Sequence, residues 1–185
     1  ADCLTDAKAS EHISEHANSL AIIFGIATST QVQRIMDAYS KDREAFGAVS
    51  PGWIHLPEAF IRAGRVDLAI DWIHRHFSRL TAMGLETVPE VWTLYGEKTP
   101  GTWRCRNSRA VAQGAGLGVP WALLTELCGI QPLEPGFQTV RFAPQPGPLA
   151  SFKGSFPGPD GEYRLAYEKR NGESVVKIAL PREKP

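Results

Sequence analysis

Hydrophobic residues recur at the three- and four-residue spacing of an α-helix through most of the first half of the chain. This periodicity predicts four helices, over residues 14–27, 31–39, 53–64 and 66–84. The first carries apolar side chains on opposite faces, so we expect it to be covered on all sides. Pro57 falls inside the third stripe, where a proline either kinks the helix or marks its true start.

The pattern changes in the last third of the chain. A final helix is predicted over residues 121–128, and prolines and glycines then crowd residues 131–148. Beyond them apolar and polar residues alternate, which is typical of half-buried strands. The alternating residues are Phe152, Phe156, Tyr163, Leu165, Tyr167, Val176, Ile178 and Leu180, with the turn dipeptides Asp160-Gly161 and Asn171-Gly172 between them. This alternating pattern predicts a small antiparallel β unit that packs against the helices.

Composition excludes several classes of partner. The chain has 185 residues, of which 43% are hydrophobic and 22% charged, as is typical of a soluble globular protein. Its 20 basic and 20 acidic residues cancel, so we expect no nucleic-acid partner and no anionic membrane surface. The longest apolar run, residues 20–24, is too short to span a bilayer. Three cysteines without paired spacing leave the redox compartment open.

The most suggestive acid is Glu90, which follows Pro89 and precedes Trp92 by two residues. Proline cannot continue the preceding helix, so we expect Glu90 to be presented from a turn. Val88 and Trp92 would surround its carboxylate with apolar surface, which raises a carboxyl pKa and suits proton transfer near neutral pH. The alternative is that Glu90 is a solvated loop acid or a helix cap.

A second candidate lies at the start of the first helix. His12, Glu15 and His16 match the H-x-x-E-H pattern of one class of zinc peptidase. The two histidines would lie one helical turn apart, and Glu86 or Glu90 could supply a third ligand. The pattern fixes only three positions, so ordinary polar residues at a helix N-terminus are the better explanation.

Three motifs in this order resemble the bacterial and fungal α-L-rhamnosidases that have a six-hairpin (α/α) barrel. The motifs are Ser14-Glu15-His16-Ala17-Asn18, Thr87-x-x-Glu90-x-Trp92 and Gly129-Ile130-x-Pro132-x-x-Pro135-Gly136-Phe137. The run from residue 149 to residue 167 is similar to the β-sandwich tail of that family. The match spans most of the chain, and its specificity comes from the order and spacing of the motifs.

The resemblance implies an inverting glycosidase that removes terminal L-rhamnose. Glu90 then matches the general base that activates water, while the general acid of the family lies upstream of the matching region. Glu15, His16 and Trp92 are implied to converge on the sugar with Gln113. At the position of Gln113 the family has His-Gly-Trp, whereas this chain has Gln113 followed by Gly114 and Ala115. No cofactor and no metal are implied.

We therefore expect a mainly α fold, with half of an (α/α) six-hairpin barrel in residues 1–130 and a small antiparallel β-sandwich unit in residues 131–185. The expected partners are a rhamnose-containing carbohydrate and a missing N-terminal barrel half. Without the general acid we expect the isolated chain to be inactive. The alternatives are a non-catalytic carbohydrate-binding or structural remnant of the same fold, and the zinc peptidase.

Overall fold

The structure is a computed structural model, and it describes residues 13–41, 55–82, 84, 86–88 and 114–181. The chain divides into two compact units, residues 1–119 and residues 120–185. About 48% of the described residues are helical and 25% lie in strands. The expectation of a mainly α chain built as half of an (α/α) barrel is therefore wrong. The helices are too few, and two antiparallel sheets account for a quarter of the described residues.

The described part of the first unit contains four helices of seven residues or more. They are α1 (Glu15–Ile23), α2 (Ser29–Lys41), α3 (Leu56–Arg62) and α4 (Val66–Ala82). Residues 63–65 join α3 to α4, and these two helices pack against each other. Their connection contains Gly64 with a φ of +76°, and the amides of Gly64 and Arg65 donate to Ile61 and Phe60. These paired bonds complete the glycine-terminated end that the sequence predicts for α3.

The start of α3 is also explained by its sequence. Pro57 occupies the first turn of the helix, where the missing N–H of a proline costs nothing. The sequence left open whether Pro57 kinks the helix or begins it, and the structure shows that it belongs to the beginning. Six residues in a row, from Leu56 to Ile61, are buried. A short helix buried on all sides is consistent with its central place in the packing of this unit.

The core of the first unit is formed by the apolar faces of α2, α3 and α4. Tyr39 of α2 stacks at a tilt against Phe60 of α3, with ring centroids 4.6 Å apart. Arg75 of α4 donates to the Tyr39 hydroxyl and lies over its ring. The largest fully buried side chains of these three helices are Ile35, Met36, Tyr39, Leu56, Phe60, Ile61 and Leu68.

Helix α1 differs from the sequence prediction. It ends at Ile23 because Gly25, with a φ of +66°, closes it, four residues before the predicted end. Its buried residues are Asn18, Ser19 and Ala21, while Phe24 is 71% exposed. The prediction that this segment is covered on all sides is therefore wrong for the described residues. The buried side chains of α1 are thus small or polar, and the helix packs against α3.

The second unit begins with helical turns and continues as strands. Helix α5 (Gly118–Ala122) crosses the boundary between the units and runs into one wide π-helical turn, Leu123–Leu127. Five strands follow: β1 (Ile130–Pro132), β2 (Val140–Phe142), β3 (Ser151–Gly158), β4 (Gly161–Arg170) and β5 (Glu173–Ala179). The Pro- and Gly-rich stretch that the sequence left without structure therefore contains most of a β-hairpin.

The strands form two antiparallel sheets. Strands β1 and β2 pair as a hairpin, and β3, β4 and β5 form a three-stranded meander. Its two tight turns fall at the turn dipeptides that the sequence identified. One face of the meander packs on Cys128 and Ile130 together with Val140 and Phe142. From the meander that face contributes Phe152, Phe156, Leu165 and Tyr167 to the core.

Within residues 13–41, 55–82 and 114–181, no helix combines the length and the apolarity that a transmembrane span requires.

Candidate functional site

The predicted site residues divide between the described and the undescribed parts of the chain. Glu15 and His16 are the first two residues of α1. Glu90, Trp92 and Gln113 lie outside the described residues. The predicted convergence of these five residues thus stays a prediction, and the structure informs only the α1 side of the site.

Side-chain hydrogen bonds fix the first turn of α1. Ser14 is the N-cap, and its hydroxyl accepts from the amide of Ala17 at 3.3 Å. The Asn18 amide group donates to the Ser14 carbonyl oxygen at 2.7 Å, and the Ser19 hydroxyl donates to the Glu15 carbonyl oxygen at 2.6 Å. The Ser14 cap is worth about 1 kcal/mol. These hydrogen bonds hold the backbone of Glu15 and His16 in one position, as a binding residue requires.

Glu15 has an unusual carboxyl group for a helix N-terminus. Burial raises its pKa from 4.5 to about 7. The helix dipole acts in the opposite direction and favours the charged form by about 0.3–1 kcal/mol, so desolvation is the stronger effect here. No other described residue forms an ion pair with Glu15. At neutral pH the carboxyl can therefore either donate or accept a hydrogen bond.

His16 is half-buried beside Glu15. The zinc hypothesis needs His12 and a third ligand as well, and His12 lies outside the described residues. Among the residues that the structure describes, no three side chains of histidine, cysteine, aspartate or glutamate are grouped as metal ligands would be. The metal hypothesis therefore gains no support from the described part of the molecule.

Helix α3 lies alongside α1. The two helices pack against each other, and Arg62, the last residue of α3, donates to the carbonyl oxygen of Ile23, the last residue of α1, at 3.1 Å.

His55 is the N-cap residue of α3, and the sequence analysis did not single it out. Burial lowers the pKa of its imidazole below the ordinary value of 6.5. At neutral pH the ring is therefore uncharged, with one nitrogen that can donate and one that can accept. The sequence signal that could have identified His55 was its position before Leu56-Pro57, because residues just before a helix start lie where binding groups collect.

The approach to Glu90 is described as far as residue 88. Glu86 and Thr87 are exposed, whereas Val88 is half-buried. The surroundings of the Glu90 carboxylate lie outside the described residues, so the predicted apolar environment stays a prediction.

The comparisons with known proteins agree with the resemblance carried by the motif that begins at Gly129. Residues 129–184 match the family described as bacterial α-L-rhamnosidase C-terminal domain. The fold is similar to that of an α-L-rhamnosidase from Streptomyces avermitilis solved in complex with L-rhamnose, with a TM-score of 0.68 at 17% identity. That alignment covers 88% of this chain and 16% of the Streptomyces chain, so this chain spans about one sixth of that protein. A comparison with curated protein sequences gives no match.

Residues 129–184 therefore resemble the C-terminal domain of that family, and the fold of the chain is α-L-rhamnosidase-like.

Proposed function

We propose that this chain supplies the base side of the active site of an inverting α-L-rhamnosidase-like glycoside hydrolase. Glu90 is the general base, and Glu15, His16, Trp92 and Gln113 contact the sugar. The substrate is a glycoside with a terminal L-rhamnose, the sugar bound to the Streptomyces protein. We also propose that residues 1–130 form the catalytic portion and residues 131–185 the C-terminal β portion.

The observation that carries this proposal is the state of Glu15. A carboxyl whose pKa is about 7 donates a hydrogen bond as readily as it accepts one. Sugar hydroxyls need both kinds of partner, and the neutral imidazole of His55 offers both as well. An ordinary surface acid at a helix N-terminus would be ionised and could only accept.

The chemistry follows from the inverting geometry. One carboxylate takes a proton from water while a second carboxyl group protonates the leaving oxygen on the other side of the sugar ring. The two groups stand roughly 6.5–9.5 Å apart so that the water fits between sugar and base. Glu90 serves as the base, and the proposal places the acid outside this 185-residue sequence. Trp92 offers an aromatic face to the apolar side of the sugar.

The test compares two acids four residues apart in the natural gene product that contains this chain. Glu90→Gln keeps the shape of the side chain but cannot accept a proton, so kcat on an aryl rhamnoside should fall by about 10²–10⁴-fold with KM little changed. Glu86→Gln is the matched control, since Glu86 is exposed, and its turnover should stay near normal. If Glu86→Gln is the inactive variant, the base is wrongly assigned.

The 185-residue chain alone gives a second test. It should bind L-rhamnose weakly and hydrolyse no aryl rhamnoside at a useful rate. Glu15→Gln should keep this binding, because the amide mimics the neutral carboxyl, while Glu15→Ala should weaken it. Efficient turnover by the isolated chain would show that the acid lies within these 185 residues.

A non-catalytic carbohydrate-binding role is the second candidate. It is favoured by the position of the family match, which covers residues 129–184 and not the segment that contains Glu90. Rhamnose binding by the natural gene product without any turnover would support this role and exclude the hydrolase.

A further inference from the structure

The outer face of the three-stranded meander carries a groove that the sugar site does not use. The groove encloses about 390 Å³ and crosses all three strands. It lies on the side opposite the aromatic core, because its residues alternate with Phe152, Tyr163 and Tyr167 along the strands. The outward-facing side chains that line it are Lys153, Ser155, Arg164, Ala166, Lys177 and Ala179.

The strand register determines how the charges are arranged. Lys153 pairs with Ala166, and Ala166 pairs with Lys177, so two lysines flank one small residue. Two interstrand spacings separate the outer strands, which places the stems of the lysines about 9.5 Å apart. The methyl group of Ala166 fills little of the space between them, and a mostly apolar slot flanked by the stems of the two lysines results.

The two lysines keep their charge available to a ligand. Glu168, the nearest carboxylate, is held by Arg170 at 2.8 Å. That hydrogen bond lowers the pKa of Glu168, and the charges of Lys177 and Lys153 lower it further without direct contact. Neither lysine forms an ion pair with any described residue. Two positive charges therefore remain over the slot once the Arg170–Glu168 pair is counted as neutral.

A polar rim bounds the groove on the side of Arg164. Its guanidinium pairs with Glu162, which also accepts a hydrogen bond from Ser155. The Arg164 side chain is 68% exposed even while paired. Charged pairs and hydroxyls of this kind offer hydrogen bonds to a polar ligand that reaches beyond the slot.

We propose that this groove is a second carbohydrate site, which holds an anionic group of a polysaccharide between Lys153 and Lys177. The hydroxyls of neighbouring sugars contact the Arg164–Glu162–Ser155 rim. That the ligand is a carbohydrate rests on the proposed function, whereas the preference for an anion rests on the lysine slot alone. A carboxylate or a sulfate group satisfies the slot equally.

The chemistry of this face disfavours other ligands. Its lining contains no aromatic ring, so a neutral sugar would find no stacking surface. Two unpaired cations in a chain of zero net charge are few for a nucleic-acid backbone, whose binding draws on several phosphate contacts. An anionic sugar needs only one such contact together with polar neighbours.

Affinity electrophoresis of the 185-residue chain tests the proposal with three polymers. Polygalacturonate carries carboxylates, dextran sulfate carries sulfates, and dextran is neutral. The chain should be retarded by one or both anionic polymers and not by dextran. The retardation should fall as salt rises from about 0.02 M to about 0.5 M, because these charges are exposed and are screened. The polymer that retards the chain more strongly identifies the anionic group.

Variants locate the binding. Lys153→Ala with Lys177→Ala should weaken the retarding interaction by about 5- to 20-fold, the sum of two exposed charge contacts. Lys169→Ala is the matched control, since Lys169 is an exposed lysine on the opposite face of β4, and it should bind as the parent does. Lys153→Arg with Lys177→Arg should restore binding, which separates charge from any effect on folding.

Three results would overturn the proposal: no retardation by either anionic polymer at low salt, equal retardation by dextran, or equal losses in the Lys169 control and in the double variant. The outcome is independent of hydrolysis. If the natural gene product has no rhamnosidase activity but the chain binds the anionic polymers, only the proposed function is refuted. If the gene product is active but the chain does not bind these polymers, only the second site is refuted.

Discussion

Arg62 and Ile23, 39 residues apart in sequence, join the C-terminal ends of two helices. The Nη1 atom of Arg62 donates to the Ile23 carbonyl oxygen at 3.1 Å, and its Nη2 atom lies 2.9 Å from the carboxylate of buried Glu58. One guanidinium thus caps α1, pairs with a carboxylate of α3 and holds α1 against α3.

The first prediction concerns that contact. Arg62→Met should lower the free energy of unfolding by about 1–2 kcal/mol, because it removes a charged hydrogen bond and the partner of a buried carboxylate. Arg65→Met is the control, since the carboxylate that Arg65 pairs with, Asp67, is exposed where Glu58 is buried, and it should cost at most about 1 kcal/mol. Urea unfolding measures both variants. Equal losses would contradict the structural role of Arg62.

The second prediction compares two glycines of the second unit with similar backbone angles. Gly129 has a φ of +65°, and an added Cβ would lie 2.0 Å from the Ala143 carbonyl oxygen. Gly136 has a φ of +76°, but its added Cβ would meet nothing within 4 Å. Gly129→Ala should therefore cost about 3 kcal/mol or more, and Gly136→Ala about 1–2 kcal/mol. Urea unfolding of the two variants should show this order, and the reverse order would contradict the close approach of Gly129 to Ala143.

The third prediction follows from the burial of Glu15. Folding raises its pKa to about 7, so the protonated carboxyl favours the folded chain. This contribution is complete below about pH 4.5 and is lost as the pH rises through 7. Glu15→Gln stays neutral, and its stability advantage over the parent should grow by on the order of 2–3 kcal/mol between pH 4.5 and pH 8. Urea unfolding at both pH values measures this change.

If the difference between Glu15→Gln and the parent stays constant over this range, the Glu15 carboxyl is ionised and solvated in the folded chain. The main support for the proposed function is then lost.

The fourth prediction concerns Cys128, a buried free cysteine in the core of the second unit. Burial raises the pKa of its thiol from 9.0 to about 11, which lowers the thiolate fraction at pH 8 by about 100-fold. Iodoacetamide should therefore label Cys128 far more slowly in the folded protein than in urea, as peptide mass spectrometry can measure. Equal labelling rates in the two states would show that the thiol is accessible.

Several features of the fold could be read directly from the sequence. Pro57 marks the start of α3, Gly64 marks its end, and Asn171-Gly172 turns β4 into β5. The alternation of Tyr163, Leu165 and Tyr167 gave the core face of β4. These signals succeed because they depend on local backbone geometry or on side-chain period, which a few neighbouring residues determine.

Other features were misjudged or missed for the opposite reason. The apolar residues of α1 predicted burial on every side, yet its buried residues are Asn18, Ser19 and Ala21. Strand β2 lies in a stretch whose prolines suggested no regular structure. In both cases segments distant in sequence decide the result. They determine which face of α1 is covered and which strand pairs with β2.

The same division holds for the two candidate sites. The motif around Glu15 and His16 was visible in the sequence, and so was the resemblance that it carries, whereas the pKa of Glu15 was not. Lys153 and Lys177 lie 24 positions apart and form one slot only because β4 pairs with both of their strands. The sequence alone determined which residue types are present and how they repeat. Tertiary structure decided which of them lose water and which share a surface, because desolvation and cross-strand register depend on the whole packed chain.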